Sequence, residues 1–336
     1  MINKMEVKNF KSIKHLDVQC KKVNVFLGRP NTGKSNILES IGIFSLPFSG
    51  ANDLKDYVRF EKMTNLFYDE ESNNKIEFNN DNIKYDISYK YNEFIINCLY
   101  DAKVMPISSP LLPRDYVKIW LDYEGKYKHS EGPFPKTSTV KYYKFKTINE
   151  FKKQDTEYLM PPDGQNLIAL IDTHKELKDI IVNILNNYGF KILLENFENK
   201  MKIYKEVSGI AKSIPYYLIS DTLQRTIFYL AAIETNKDSI IILEEPEEHS
   251  FPYYTKILAE NIAMDENNNQ YFISTHNPYL LLPLLEKTRK EDICIFITYY
   301  ENYQTKVKQL SENKLSDILD YDASVFFNLE KLMEIK

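Results

Sequence analysis

The sequence predicts an α/β protein: a parallel core sheet, an antiparallel β-subdomain at the start of the chain, and a β-rich lobe inserted after the first helix. Three observations carry that prediction. The apolar run VNVFLG ends at Gly28 and passes through a glycine-bearing loop into the amphipathic text KSNILESIGIF. Between residues 50 and 145 the chain changes to Tyr-, Ile- and Phe-rich runs separated by Asn, Asp, Pro and Gly. In the last third, short apolar runs alternate with helical text, the pattern of βα units laid on one sheet.

Taken in order, INKMEVKNFKSIKHLDVQCKKVNVFLG alternates apolar and polar residues. It predicts two short strands with a turn at residues 9–11, then a buried strand ending at Gly28. A helix is predicted from Lys34, with Ile37, Leu38, Ile41 and Phe44 at helical spacing, stopping near Pro47. NKIEFNN, IKYDISYKY, EFIINCLYD and DYVKIWLDYEGKY supply the strands of the lobe. Helical text returns at Thr147, and NLIALIDTHKELKDIIVNILNNYG has a stop signal in Gly189. Short strands near 190–206 precede the helix SDTLQRTIFYLAAIET, for which Ser220 or Asp221 is the expected N-cap. The strand SIIIL, a helix from about Tyr253, and the strands QYFIST and DICIFITYY follow.

Composition narrows the function classes. Lys and Arg number 43 against 48 Asp and Glu, a net charge of -5, so no globally basic nucleic-acid surface is expected. Cys20, Cys98 and Cys294 lie far apart without CxxC spacing, which argues against a zinc site or a disulfide framework. No apolar run approaches the length of a membrane span and no signal peptide is evident, so a cytoplasmic protein away from the membrane is expected.

GRPNTGKS, residues 28–35, matches the phosphate-binding pattern G-x-x-x-x-G-K-[ST]. A tight loop between strand and helix turns successive backbone N–H groups toward phosphate oxygens, and glycine permits the approach. Lys34 brings charge to the β- and γ-phosphates, the helix N-terminus adds its dipole, and the Ser35 hydroxyl suits Mg²⁺. The run SIIILEEPEEHS poses the complementary problem. Glu244, Glu245, Glu247 and Glu248 crowd the end of one apolar strand and need a cation or donors to neutralise them.

MEVKNFKSIKHLDVQCKKVNVFLGRPNTGKSNILESIGIF resembles the opening of the ABC-type ATPase heads of the SMC and overcoming-lysogenisation-defect (OLD) class. Asn9, Phe10, Lys11 and Ser12 match the family's NFKS turn, and Asn31 and Asn36 match its two loop asparagines. PDGQNLIALI is similar to a segment of the OLD-like subgroup. The resemblance covers roughly residues 1–46 and 160–300, and implies an ABC-ATPase head. Its parts would be 1–46 with the P-loop, an inserted lobe at 47–146, and a helical and core portion at 147–336.

The resemblance also implies site roles. ATP and Mg²⁺ are the expected cofactors, with Gly28, Asn31, Thr32, Gly33, Lys34, Ser35 and Asn36 around the nucleotide. Ser35 and Glu244 would hold the metal, Glu245 would act as catalytic base, and His276 in FISTHNPYLL would be the switch histidine. Ser220 matches the signature serine that reaches a partner subunit's γ-phosphate, whereas the usual glycine is Thr222, a departure that hinders close approach. Glu247, Glu248 and His249 are assigned to a turn that meets the second subunit. No glutamine lies between Gln19 and Gln154, so Gln154, Gln165 or another side chain would stand in for the Q-loop glutamine, and slow or conditional turnover is expected.

The implied function is a nucleotide-driven switch that dimerises, or forms a higher homo-oligomer, around ATP. It would control a separate effector, a nuclease or toxin, in anti-phage or mobile-element defence. The alternatives are SMC-like DNA handling and a low-turnover assembly scaffold. The basic, aromatic stretch KYYKFKTINEFKK is the candidate DNA contact, and the absence of heptads counts against a coiled-coil arm.

Overall fold

The computed structural model describes residues 1–48, 54–81, 83–100, 116–132, 139–152 and 157–333. The chain opens with β1 (Lys4–Phe10), β2 (Ile13–Gln19) and β3 (Val23–Gly28), then α1 (Lys34–Gly42). Strands β4 (Ile76–Asn80), β5 (Ile83–Lys90), β6 (Glu93–Tyr100), β7 (Tyr116–Leu121), β8 (Tyr127–Glu131) and β9 (Val140–Tyr143) follow. Next come α2 (Leu167–Thr173), α3 (Lys175–Asn186), β10 (Lys191–Glu195), β11 (Lys200–Val207), β12 (Ile210–Pro215) and α4 (Asp221–Thr235). Then β13 (Ile240–Glu244), α5 (Pro252–Ala263), β14 (Gln270–Ser274) and α6 (Pro278–Lys287) alternate. The end of the chain adds β15 (Ile293–Glu301), β16 (Gln304–Gln309), α7 (Glu312–Tyr321) and α8 (Leu329–Met333).

The central sheet has the order β16-β15-β3-β14-β13-β9. All its pairings are parallel except β15 with β16. Strands β3, β13, β14 and most of β15 are buried on both faces, which is why they read as largely apolar runs. Alternation within them sorts two cores. Val23, Val25, Leu27, Ile241, Leu243, Tyr271, Ile273, Ile295 and Ile297 pack toward the helices, including α4 to α7. Phe26, Ile242, Phe272, Cys294 and Phe296 point the other way, toward α1 and the antiparallel sheet. There Phe26 and Phe296 stack with ring centroids 4.9 Å apart.

The antiparallel sheet has the order β2-β1-β4-β5-β6-β7-β8. β1 pairs on one side with β2 and on the other with β4, so the strands of the expected lobe extend the N-terminal sheet. Val140–Tyr143, which the sequence reading grouped with that lobe, instead pairs parallel with β13 at the edge of the core sheet. The turn after β1 uses left-handed backbone at Asn9 and Lys11. The long helical stretch after 166 is two helices, broken where His174 leaves helical geometry. Gly189, at φ 69°, ends the second as expected. A three-stranded meander, β10-β11-β12, leads to α4, and Ser220 caps that helix through Leu223 N. Cys20, Cys98 and Cys294 are buried free thiols. Among the described residues no helix is long and apolar enough to cross a membrane.

Candidate functional site

Phe26 of β3 and Glu244 of β13 both stand opposite Ser274 of β14, so three neighbouring parallel strands end at one edge of the sheet. Loops leaving those carboxyl ends converge there.

The first loop is residues 28–35. Asn31 (φ 60°) and Gly33 (φ 95°) take left-handed backbone, and a Cβ on Gly33 would collide with the Thr305 side chain. Hydroxyls brace the loop from behind. Thr32 Oγ1 donates to Arg29 O (2.8 Å) and meets Thr298 Oγ1 (2.7 Å), while Thr305 Oγ1 donates to Thr32 O (3.0 Å). Asn36 Nδ2 donates to Ser12 Oγ (2.7 Å), tying the start of α1 to the NFKS turn. Lys34 is buried, with Nζ donating to Gly28 O (2.8 Å) and Arg29 O (3.1 Å). Burial lowers its pKa, and Glu245, Glu244 and Glu247 oppose that shift.

Glu244 ends β13 half-buried. Its Oε2 accepts from Tyr142 OH (2.8 Å) and its Oε1 from Arg59 Nη2 (2.6 Å), and the Ser35 side chain is near enough to favour its charged form. Burial pushes this carboxyl up, but Ser35, Arg59, Tyr142 and Lys144 together outweigh it and hold the pKa below the ordinary value. Ser35 at the start of α1 and Glu244 at the end of β13 are thus near neighbours, and oxygen donors of this kind suit a hard divalent cation.

Glu245 sits at φ 43°, a strained conformation for a residue with a side chain. Its N–H donates to Ser274 O (3.0 Å) and its Oε1 lies 3.3 Å from His276 Nδ1. Glu247 lies in the turn expected of it, but its side chain points inward. Its side chain is 3% exposed and its Oε1 accepts from Thr275 Oγ1 (2.5 Å) and His276 N (3.3 Å). The chain leaves the strand at Glu245 and Pro246 cannot rejoin the ladder, so the next residue turns toward the segment that follows β14. Glu248 and His249 remain exposed.

Ser220 is exposed at the start of α4, and that helix is tied to the acidic turn. Thr222 Oγ1 donates to His249 O (2.9 Å), and Arg225 pairs with Asp221 (2.7 Å) and Glu248 (3.7 Å). The side chain that replaces the expected glycine is thus engaged within its own chain. Gln165 donates to Asp163 Oδ2 (3.0 Å), and Gln154 lies outside the described residues.

The basic, aromatic stretch is buried at its start, whereas Lys146 and Lys152 are exposed. Lys141, Tyr142 and Tyr143 are buried in β9. Lys141 Nζ donates to Asn236 Oδ1 (2.5 Å) and Ser239 Oγ (3.2 Å), and burial pushes its pKa down to about 7.

Four residues of the site escaped sequence reasoning: Glu39, Arg59, Tyr142 and Lys144. Glu39, wholly buried on α1, is held by Lys11 and by Arg59 Nε (3.0 Å). Its only signal was a carboxylate among the buried positions of a short helix. Arg59, Tyr142 and Lys144 come from distant segments with no motif of their own.

The comparisons agree with this geometry. The family described as "AAA domain, putative AbiEii toxin, Type IV TA system" matches residues 23–282, from the start of β3 into α6. A Helicobacter pylori (strain ATCC 700392 / 26695) protein named ATP/GTP phosphatase is 22% identical over 331 residues, covering 87% of this chain and 90% of its own. An SMC head bound to the C-terminal winged-helix domain of ScpA superposes with a TM-score of 0.54 at 16% identity, over 94% of this chain and 99% of that one. An SMC head with an extended coiled coil, bound to the C-terminal domain of ScpA derived from Pyrococcus furiosus, gives 0.51 at 16% identity, over 95% and 98%. At these identities the two structures speak to the fold alone. With the family match spanning most of the chain, the protein belongs to this AAA-domain family and is an ATPase, with a fold similar to that of the SMC heads.

Proposed function

We propose that the chain is a nucleotide-driven switch that hydrolyses ATP to ADP and phosphate while two copies are joined head to head. One observation carries the reading: Lys34, the Ser35–Glu244 pair and the Glu245–His276 pair lie at adjoining strand ends on one edge of the core sheet.

In this reading the loop N–H groups and Lys34 hold the β- and γ-phosphates, and Ser35 and Glu244 hold Mg²⁺. Mg·ATP, when bound, supplies the transferable phosphoryl group and the positive charge that relieves the crowded carboxylates. Glu245 accepts the proton of the attacking water, and the His276 imidazole orients that carboxylate from 3.3 Å. Ser220, exposed beside the acidic turn, is available to a second copy. The bond from Thr222 to His249 O would carry the presence of the partner into the turn that bears the base. The OLD-like sequence features favour a separate effector protein as the output, in defence against phage or mobile elements.

Glu245→Gln keeps the shape of the site and removes its base. With Mg·ATP the variant should persist as a dimer on size-exclusion chromatography and turn over at least about a hundredfold more slowly. A variant that stays monomeric with full turnover would rule out the switch.

A further inference from the structure

Of the five residues 244–248, only Pro246 and Glu247 are buried, so Glu247 is the one acid of the run enclosed by protein. A carboxyl in that position is expensive, because among the described residues no Lys or Arg hydrogen-bonds it and its buried Oε2 has no hydrogen-bond partner. An apolar side chain would fill the same volume without the desolvation cost. What Leu or Met lacks is the acceptor that Glu247 Oε1 presents to Thr275 Oγ1 and to His276 N. Thr275 Oγ1 in turn accepts from Asn277 N (3.0 Å), so the three residues after β14 are clamped together.

The contacts form a closed circuit. Glu245 and Glu247 flank Pro246, whose ring restricts the backbone between them. Glu247 grips the backbone of His276, and the His276 imidazole returns to Glu245 at 3.3 Å. The position of the imidazole relative to the Glu245 carboxylate therefore depends on a bond made by neither of them.

We infer that Glu247 is a positioning residue for hydrolysis: through its buried Oε1 it fixes the His276 backbone, and thereby the orientation in which Glu245 meets the attacking water. This rests on the hydrolytic reading above. The ionisable groups around it include His276 and, more distantly, Lys34 on the P-loop.

The test uses the full chain with Glu247→Gln, which keeps an acceptor oxygen, and Glu247→Leu, which does not. The first readout needs no nucleotide: the His276 imidazole carbon–proton resonance, assigned by its loss in His276→Asn. It should stay in place in Glu247→Gln and move in Glu247→Leu. In steady-state assays with Mg·ATP, Glu247→Leu should lose about ten- to a hundredfold in kcat with KM within about twofold, the mark of misplaced groups rather than lost binding. Glu247→Gln should keep kcat within about threefold of the native chain. An unmoved resonance with native kcat in Glu247→Leu overturns the inference. So does a Glu247→Gln as impaired as Glu247→Leu. If Glu247→Leu does not fold, Thr275→Val removes one of the two donors: a native resonance and native kcat there overturn it equally. Failure of the hydrolytic reading looks different, with the native chain turning over no faster than Glu245→Gln while the resonance still moves.

Discussion

Glu247 has a thermodynamic signature as well as a geometric one. Burial pushes its carboxyl up to about 7 from an ordinary 4.5, against the hydrogen bonds from Thr275 and the backbone and the charge of His276. The folded chain therefore binds this proton more tightly than the unfolded chain. The stability it contributes is complete below the unfolded pKa and is lost as pH rises through about 7. Glu247→Gln cannot ionise, so relative to the native chain it should gain stability between about pH 5 and pH 8, by at most about 3 kcal/mol at one pKa unit per 1.4 kcal/mol. Thermal melts of both proteins without nucleotide, at several pH values, check this. A gap in Tm that does not change with pH would mean that Glu247 ionises normally. Its neighbour Glu245, held at φ 43°, shows the same economy: the residue expected to do chemistry is also the one under backbone strain.

Helix α1 is the element on which the site is assembled. Its first residues, Lys34 and Ser35, face the phosphate loop, and Glu39 on its inner side is wholly buried between Lys11 and Arg59. Arg59 then bridges to Glu244, so the NFKS turn, the segment after α1 and the end of β13 share one chain of charges. The nearly buried Lys11–Glu39 pair is asymmetric in its consequences. Lys11→Met leaves a buried carboxylate short of a partner and should destabilise the chain by about 3 kcal/mol or more. Lys11→Met combined with Glu39→Gln should recover most of that loss, and denaturant unfolding of the single and double variants separates the cases. Equal losses in both would mean that Lys11 acts through its packing on Phe10, above whose ring its Nζ sits at 5.7 Å. The Lys11 of the NFKS turn thus has a structural task, to keep α1 seated beside β13.

At the scale of the whole molecule, the sheet that carries the site separates two cores, and the strands at 76–131 supply much of the second. Ile76, Phe78, Ile83, Tyr85, Ile87, Phe94 and Ile96 pack in the same cluster as Phe26, Ile37 and Phe296. The Tyr85 hydroxyl donates to Ser40 O of α1 (2.7 Å), joining the antiparallel sheet to the helix that begins the site. Those strands are therefore not a detachable module. Replacing 76–131 by a short linker exposes β1 as an unpaired edge and strips α1 of its cover. The expected product is aggregated or unfolded by size-exclusion chromatography and circular dichroism. A folded monomer that still binds nucleotide would show the sheet to be an appendage.

The local parts of this protein were determined by its sequence. Residues 28–35 carry their loop geometry in their own glycines and in Asn31, and SIIILEEP declares a buried strand that must stop at a proline. The capping of α4 by Ser220 and the stop at Gly189 are likewise short-range events, decided by a few neighbouring backbone groups. Tertiary structure alone decided which strand lies beside which, because strand pairing joins residues far apart in the chain, such as Val140 and Ile240. It took β9 from the expected lobe to the core sheet, and so brought Tyr142 to Glu244. It also turned Glu247 inward while Glu248 stayed in water. Two identical side chains next to each other present the same composition and charge to any reading of the sequence. Only the turn after Pro246 toward the segment that follows β14 gives one of them Thr275 and His276 as partners.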